Sequence, residues 1–300
     1  LDEEIDLWKL FDALFKNKLL IVLVTAFFAI SSIIYALSLP NQYESSVVVA
    51  PINNDSSGIS SIGGSSIGGL ASLAGINLSS EGVSESKIAL RIMQSWSFIE
   101  QFIEKNNLSK YLAAAEGWDN QNDKMIFNSN VYDIENEKWL TTRPTSWSLY
   151  KAFKDKLTVQ EDQKTGMTTV AFKYFSPRVS KELVELLIYD INEHMRARKL
   201  NKVDKSIVYL QQQIDNTSIK EMANVFYQII AEETKSKMLA EATPEYVFVT
   251  ISKAMIPYER SEPTRSLIVI IWTIIGFIIS LVAAIVKYHF DGFSLKPDDF

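Results

Sequence analysis

Apolar residues are concentrated in two long segments, one near each end of the chain. The segments Leu19–Leu39 and Ser266–Val286 each contain 21 residues and no charged residue. A helix needs roughly 20 apolar residues to cross a bilayer, whereas a secretory signal peptide has a shorter apolar core followed by a small-residue cleavage site. The pattern therefore predicts two transmembrane helices, both of them retained in the protein.

Two spans place both tails of the chain on the same side of the membrane. Lys16 and Lys18 adjoin the first span and Lys287 adjoins the second, whereas Arg265 lies at the opposite end. Because cytoplasmic segments are enriched in Lys and Arg, this distribution favours cytoplasmic tails. The first tail has apolar residues at helical spacing, so it either lies along the membrane surface or extends the first span. The predicted segments are residues 1–18, 19–39, 40–265, 266–286 and 287–300.

The central segment combines strands with helices. Residues typical of strands dominate QYESSVVVA after Pro40, the predicted hairpin LTVQ-EDQKTG-MTTVAFKYF, and EYVFVTIS near the end of the segment. A helix with one continuous apolar face is predicted from Ser84 to about Asn106. The strand-like runs are bounded by turn residues, so they predict a small mixed sheet close to the bilayer. The fold class predicted is an α+β membrane protein.

Glycine and serine dominate residues 53–82, but isoleucine and leucine are scattered among them. A flexible linker would lack these apolar residues. The segment has neither the Gly-Lys-Ser/Thr ending of a P-loop nor the spaced glycines of a dinucleotide site. It predicts an adaptable loop that packs on a neighbouring element or subunit, and no phosphate cofactor.

A very long helix is predicted after the hairpin. Ser176 and Pro177 form a helix start, with a capping residue followed by proline at the first helical position. No glycine or proline occurs in the 66 residues from 178 to 243, which as one helix would extend roughly 100 Å. We expect a near-continuous helix over 177–243. A change of apolar phase near residue 215 and a capping-box pattern at Ser218 leave open two helices that meet there.

Part of this helix has only a narrow apolar face. Its members recur at steps of three and four, the spacing of a seam that packs against one other helix. Such a seam does not bury a helix of this length within one chain, so identical neighbours are expected to cover it, with the Ser84 helix as an intrachain alternative. The seam residues are Leu200, Val203, Ile207, Leu210 and Ile214.

Composition weighs against several classes of function. The net charge of −6 does not favour nucleic-acid binding. The absence of cysteine removes disulfides, thiolate catalysis and cysteine zinc sites. The two histidines, His194 and His289, lie far apart in the sequence, and neither has a histidine partner nearby. The sequence therefore predicts no enzyme, cofactor or metal site.

A basic run on the long helix is a candidate contact for an anionic glycan or a phosphate-rich carrier. The alternative is a solvated helix face, which is the usual role of such runs. The residues concerned are Arg196, Arg198, Lys199, Lys202 and Lys205.

Two further features concern the second span. Pro257 and Pro263 restrict the backbone between the last strand and the span, so they predict either a stiff junction or a simple end to regular structure. Within the span, Gly276, Ser280 and Ala284 place a small residue at every fourth position. That spacing lets helices approach closely in lipid.

Five stretches of the sequence share the pattern of one known family. They are IDLWKLFDALFKNKLLIV at the first span, QYESSVVVAP, SESKIALRIMQSWSFIEQFI, FKYFSPRVSKELVELLIYDIN, and PYERSEPTRSLIVIIWTIIGFIISLVAAIVK at the second span. Together they resemble the polysaccharide co-polymerases, the Wzz-type chain-length determinants of bacterial surface polysaccharides. The resemblance covers nearly the whole chain. The family often has a third proline in the last stretch and a second glycine in the span, and this chain lacks both.

The resemblance implies a regulator rather than a catalyst. Family members form ring-like homo-oligomers in the bacterial inner membrane, with periplasmic domains built around long helices. They act beside a polymerase that extends lipid-linked repeat units, and they set the modal length of the product, such as O-antigen of lipopolysaccharide. The alternative is a capsule or exopolysaccharide export partner that works with a separate tyrosine autokinase, since the short second tail is not expected to carry a kinase.

Overall fold

The computed structural model describes residues 17–52 and 84–294, with side chains described as far as Lys287. The chain divides into two compact units. One comprises the described residues of Leu1–Gln42 and Arg260–Phe300, and the other comprises Tyr43–Glu259. The predicted surface helix of the first tail, the Gly/Ser-rich loop and the last residues of the second tail lie outside the described residues.

The helices are α1 (Lys18–Ser38), α2 (Glu85–Met93), α3 (Trp96–Lys105), α4 (Ser109–Ala113), α5 (Ser146–Lys154), α6 (Pro177–Asn216), α7 (Lys220–Ala242) and α8 (Arg265–Ser294). The strands are β1 (Tyr43–Pro51), β2 (Ala115–Asp119), β3 (Lys124–Phe127), β4 (Tyr132–Asp133), β5 (Lys138–Trp139), β6 (Leu157–Glu161), β7 (Thr168–Tyr174) and β8 (Phe248–Ser252).

The two apolar segments form helices that are long and apolar enough to cross a bilayer. Mean hydropathy reaches 2.5 in α1 and 2.9 in the Arg265–Lys287 part of α8. Most of the surface of each helix is exposed within the chain, unlike the surface of a core helix in a soluble protein. Both helices begin one residue before the predicted spans, and hydrocarbon is the solvent that suits their exposed side chains.

The second unit is built on a four-stranded sheet with the order β6-β7-β1-β8. All three pairings are antiparallel, so the prediction of a mixed sheet is wrong. The reason is the path of α6, which follows β7 and runs back along the sheet. The chain therefore re-enters the sheet at the far end, and β8 takes the same direction as β7, opposite to β1.

The core lies between this sheet and the first half of α6. Successive side chains of a strand point to opposite faces. In β1 the alternate residues are the buried ones, and in β7 the alternate residues are buried together with Ala171. The first five turns of α6 place apolar residues on the same core at helical spacing. The central members are Val47, Val49, Val170, Phe172, Tyr174, Leu183, Leu187 and Ile191.

The single helix predicted from Ser84 is interrupted in the structure. α2 ends at Met93, and α3 begins at Trp96 after Ser95, whose hydroxyl accepts a hydrogen bond from the Phe98 backbone N–H at 3.4 Å. A serine that caps a new helix competes with the backbone bonds of the old one. The apolar repeat continues across the break, which is why the pattern does not reveal it.

The near-continuous helix predicted over 177–243 is also wrong, and the alternative of two helices is confirmed. Thr217 and Ile219 have extended backbone, with φ and ψ of −96° and 134° and of −95° and 110° respectively. The predicted capping box does not form, because Ile219 rather than Ser218 precedes the first residue of α7.

α7 runs antiparallel to α6, so that the two form a helical hairpin. Lys237 Nζ lies 2.7 Å from Asp204 Oδ1, which pairs the second half of α7 with the second half of α6. The return path folds the seam of α6 against α7 within one chain. Packing of the two apolar seams in this way buries more surface than one straight helix would, and it explains the break.

Three polar residues in the first half of α6 are buried, namely Ser180, Asp190 and Asn192. No pattern in the sequence singles them out, and the last two bond to other elements. Asn192 is 3% exposed. Its Oδ1 accepts from the backbone N–H groups of Val247 and Phe248, both at 2.9 Å, and its Nδ2 donates to the Phe248 carbonyl at 3.1 Å. The side chain thus satisfies the backbone where the chain returns from α7 into β8.

Asp190 makes the corresponding connection on another side of α6. It is 6% exposed and accepts hydrogen bonds from Lys105 Nζ at 2.7 Å and from Asn106 Nδ2 at 3.2 Å. The hydrogen bond from Lys105 raises the pKa of that lysine, which keeps its ammonium charged at neutral pH. Together Asp190 and Asn192 fix α6 to the end of α3 and to the start of β8.

We predict that Asn192→Ala destabilises the protein by about 2–4 kcal/mol, because two buried backbone N–H groups lose their acceptor. The measurement is denaturant unfolding of the full chain in detergent, followed by tryptophan fluorescence. Asn201→Ala is the matched control, since Asn201 is an exposed asparagine on the same helix, and it should change stability by less than about 0.5 kcal/mol. Equal stability of the two variants would contradict the role given to Asn192.

Candidate functional site

The part of the chain that the structure describes contains no group of three or more His, Cys, Asp and Glu side chains placed to hold a metal ion. His194 packs edge-on against Phe98, with ring centroids 5.5 Å apart. Burial, with a smaller effect of the charge on Arg198, lowers the pKa of His194, so the ring is neutral at pH 7. The residues predicted as sites lie instead on the paired spans, beside them, and on the helical hairpin.

Gly276, Ser280 and Ala284 all face α1. A Cβ atom on Gly276 would lie 2.5 Å from Phe28 Cβ, so the two helices are too close there for any larger residue. Ser280 and Ala284 are completely buried. Ser280 Oγ is 3.4 Å from Thr25 Oγ1, and the Ala284 carbonyl accepts from Asn17 Nδ2 at 3.4 Å.

α1 supplies a matching row of small residues that the sequence analysis did not identify. Ser32 and Ala36 are 2% and 1% exposed, although most of α1 is exposed. With Phe28 they are spaced by four residues, the same period as the row on α8. Small residues on both helices allow close backbone approach, which is how helices associate where lipid removes the hydrophobic drive. A search of both spans for this spacing would have found the pair.

The ends of the two spans are also joined by backbone. Gln42 forms an antiparallel bridge with Glu262. The Gln42 N–H donates to the Glu262 carbonyl at 2.9 Å, and the Ser261 N–H donates to the Gln42 carbonyl at 2.9 Å. Pro263 is half-buried and follows directly, joined to Glu262 by a cis peptide bond. Pro257 is half-buried in the second unit, in the stretch without regular structure that follows β8.

The seam residues of α6 face α7. Val203 and Leu210 are buried, and the other three are half-buried. On α7 a row of half-buried or buried positions again steps by three and four, so the two seams match as in an antiparallel coiled coil. The α7 positions are Ala223, Phe226, Ile230, Glu233, Lys237 and Ala240.

The five basic residues do not form one patch. Arg196 is paired with Glu193, with Nη2 2.6 Å from Oε1, and Lys199 is half-buried. Arg198, Lys202 and Lys205 are exposed, and their spacing of four and three residues puts them on one face of α6.

The helical hairpin also carries apolar residues that the described part of the chain leaves exposed. Met222, Val225 and Ile229 of α7 are 45%, 39% and 41% exposed, and they lie on one face at steps of three and four. We call these three residues the exposed stripe. Across the hairpin, Val208 and Tyr209 of α6 are 54% and 60% exposed. Exposed apolar surface of this kind marks contact sites.

We predict that the double variant Thr25→Cys, Ser280→Cys forms a disulfide within one chain in isolated membranes, because the two replaced oxygens lie 3.4 Å apart. The natural chain has no cysteine, so the result is unambiguous on a non-reducing gel with mass spectrometry. Adding Gly276→Leu should lower the disulfide yield by separating the helices.

The control keeps Thr25→Cys and moves the second cysteine to Ile278, which is 54% exposed. Two residues correspond to a rotation of about 200° around a helix, so this pair should not close within one chain. Equal yields from the two pairs, or only dimers linked between chains, would show that α1 and α8 of one chain do not pack as described.

Comparison with known proteins gives one family match over part of the chain, together with matches to solved structures at low sequence identity. Residues 3–106 match the model of the family "Wzz: Chain length determinant protein", which is about a third of the chain. No curated protein sequence matches. Among solved structures, a full-length bacterial polysaccharide co-polymerase is 11% identical with a TM-score of 0.40, covering 95% of this chain and 98% of that one.

A fragment of WzzB, the polysaccharide co-polymerase from Salmonella Typhimurium, is also 11% identical, with a TM-score of 0.32, covering 74% of this chain and all of the fragment. The matched residues 3–106 include the first span, β1, α2 and α3, which hold three of the motifs quoted for the resemblance. Over these residues the chain is a match to the chain length determinant family, and the resemblance predicted from its motifs is confirmed.

Proposed function

We propose that this protein is a non-catalytic regulator of polysaccharide chain length in the bacterial inner membrane. It acts with a polymerase on a lipid-linked glycan and sets the modal length of O-antigen or of a related surface polysaccharide. Its tails lie in the cytoplasm and residues 40–265 in the periplasm. The observation that carries the proposal is the match of residues 3–106 to the chain length determinant family.

The proposed protein acts as a homo-oligomer, and the distribution of burial supports this. The first half of α6 is covered by the sheet. The helical hairpin has only one narrow seam, and residues 17–52 and 84–294 leave the exposed stripe without cover. Apolar surface on a projecting element is stabilised when a second copy covers it. A ring of identical subunits meets this need for every copy at once, because each contact is repeated around a closed symmetry.

The prolines have a mechanical role in the proposal. Pro257 and Pro263 fix φ at their own positions and disfavour helix in the residues before them. The segment that joins β8 to α8 is therefore stiffer than a linker of flexible residues. In the proposed assembly this stiffness couples the oligomeric state of the periplasmic part to the membrane spans that meet the polymerase.

The basic face of α6 is proposed to contact an anionic glycan or carrier. Replacing Arg198, Lys202 and Lys205 with Gln removes three exposed positive charges from one face, so the modal length should shift while the oligomer persists. The measurement is the length distribution on a gel. Lys235→Gln, on an exposed position of α7, is the control, and an unchanged distribution in the triple variant would remove this contact from the proposal.

Deletion of the gene tests the function itself. We predict that extracted lipopolysaccharide or surface polysaccharide loses its modal band while polymer is still made, because the polymerase remains but its product length is no longer set. Restoring the full chain should restore the band. Complete loss of polymer would instead indicate an export partner of an autokinase, and an unchanged band pattern would contradict both.

Ile229→Asp tests the exposed stripe. The buried charge should break subunit contacts, so light scattering of the purified protein in mild detergent should show smaller particles, and the modal band should be lost. Gln228→Asp introduces the same charge one residue away, at an exposed polar position, and should leave both unchanged. A wild-type oligomer with Ile229→Asp would show that the stripe is not an interface.

A further inference from the structure

Two exposed tryptophans lie where α3 and α5 begin. Trp96 is the first residue of α3 and is 47% exposed, and Trp147 is the second residue of α5 and is 65% exposed. Trp96 Nε1 donates to Ser146 Oγ at 3.0 Å, so its indole lies beside the residue that precedes Trp147. We call Trp96 and Trp147 the tryptophan pair. Tryptophan is highly buried on average, so two exposed indoles on neighbouring helix ends indicate a contact surface.

The tryptophan pair is held on a rigid base. The rings of Phe102 in α3 and Phe153 in α5 pack edge to face with centroids 5.5 Å apart, and both are almost completely buried. Ser95 and Thr145 cap the two helices, since the hydroxyl of each accepts a backbone N–H of the first turn. Because the helix ends are fixed in this way, the tryptophan pair is ordered before a ligand arrives, which lowers the cost of binding.

The polar atoms beside the tryptophan pair are already used within the chain. The Tyr150 ring lies against the Trp147 ring, with centroids 5.3 Å apart, and its hydroxyl donates to the Gln94 carbonyl at 3.3 Å. Lys154 Nζ lies 5.7 Å from the centroid of the same tyrosine ring. With their donors engaged, Trp96 and Tyr150 offer ring surface rather than hydrogen bonds to a ligand.

The apolar surface of the tryptophan pair is small. A tryptophan side chain contributes roughly 250 Å², so the two exposed fractions amount to about 280 Å². A stable interface between two proteins takes about 800 Å² from each partner. The patch does not continue along the helices, because its exposed neighbours Ser97, Ser148 and Lys151 are polar. The area therefore fits a small ligand with apolar faces and polar edges better than a second copy of the chain.

We propose that the tryptophan pair binds sugar rings of a glycan by stacking. A pyranose ring has C–H groups on its faces and hydroxyls at its edge. The C–H groups are attracted to the negative face of an indole, and the hydroxyls suit the polar neighbours of the pair. The proposal rests on the proposed function, in which the protein meets a glycan, and it places a glycan contact outside the basic face of α6.

The first test measures affinity. The probe is the surface polysaccharide of the strain that carries the gene, released from its lipid by mild acid and titrated calorimetrically into the full chain in detergent. Trp147→Ala should weaken binding about tenfold, the effect of losing one aromatic contact, and Trp147→Phe should weaken it less because a ring remains. Leu140→Ala is the control, since it removes another apolar side chain, 59% exposed, and it should bind like the natural chain.

The second test locates the polysaccharide without removing a tryptophan. The natural chain has no cysteine, so Ser148→Cys places a single thiol beside Trp147. The polysaccharide should slow the labelling of this thiol by a maleimide, whereas Asn201→Cys, at an exposed position of α6, should react at the same rate with and without it. Slow labelling of Ser148→Cys before any polysaccharide is added would show that protein covers the tryptophan pair, and would overturn the proposal.

Equal affinity of Trp147→Ala and the natural chain would overturn the stacking site, as would no binding by the natural chain, even if gene deletion still removes the modal band. Smaller particles of Trp147→Ala in light scattering would instead assign the tryptophan pair to a contact between copies. A band pattern that gene deletion leaves unchanged would contradict the chain-length role alone, because affinity is measured without the polymerase.

Discussion

The fold of the second unit depends on the hydrogen bonding of β1 along both of its edges. One edge pairs with β7, which precedes the helical hairpin, and the other pairs with β8, which follows it. Residues 175–247 therefore leave the sheet and return to it on either side of a single strand. Closing so long an excursion has an entropic cost that grows slowly with length, and the regular pairing of β1 together with the bonds of Asn192 to the start of β8 offsets it.

The sequence was sufficient where one physical property dominates a long stretch. Hydrophobicity alone identifies α1 and α8 to within one residue at their starts, because only lipid accommodates such exposed surfaces. The start of α6 was also predictable, since the Ser176 hydroxyl accepts from the Val179 N–H and Pro177 needs no hydrogen bond there. The break between α6 and α7 at Thr217 was not predictable from the sequence, because no residue there forbids a helix. Packing of α7 on α6 decides it, and that is a contact between positions far apart in sequence.

The residues of the candidate sites also divide into those that the sequence identifies and those that only the structure reveals. The small residues of α8 were identifiable by spacing, but their partner was not, because the packing of Gly276 on Phe28 belongs to two segments 248 positions apart. Asp190 and Asn192 were missed because polar residues in a helix usually face solvent. A clue exists in their neighbours, since both lie among the apolar residues of the half of α6 that packs on the sheet. The mixed sheet was wrong because strand direction depends on where α6 leads the chain, which strand-like patterns do not record.

Burial changes abruptly along α6, and this change connects the fold to the function. Up to Met195 the helix has a dense core on one side, whereas beyond it only Val203 and Leu210 are buried. The hairpin of α6 and α7 buries few residues, and each of its helices retains exposed apolar residues after the two have packed together. One copy of the hairpin is therefore not a scaffold by itself. The same holds for the spans, which pair through a narrow row of small residues and leave the rest of their surfaces to lipid or neighbours. Apolar surface of this kind gains order from what covers it, and this is the physical basis of the oligomer proposed for this protein.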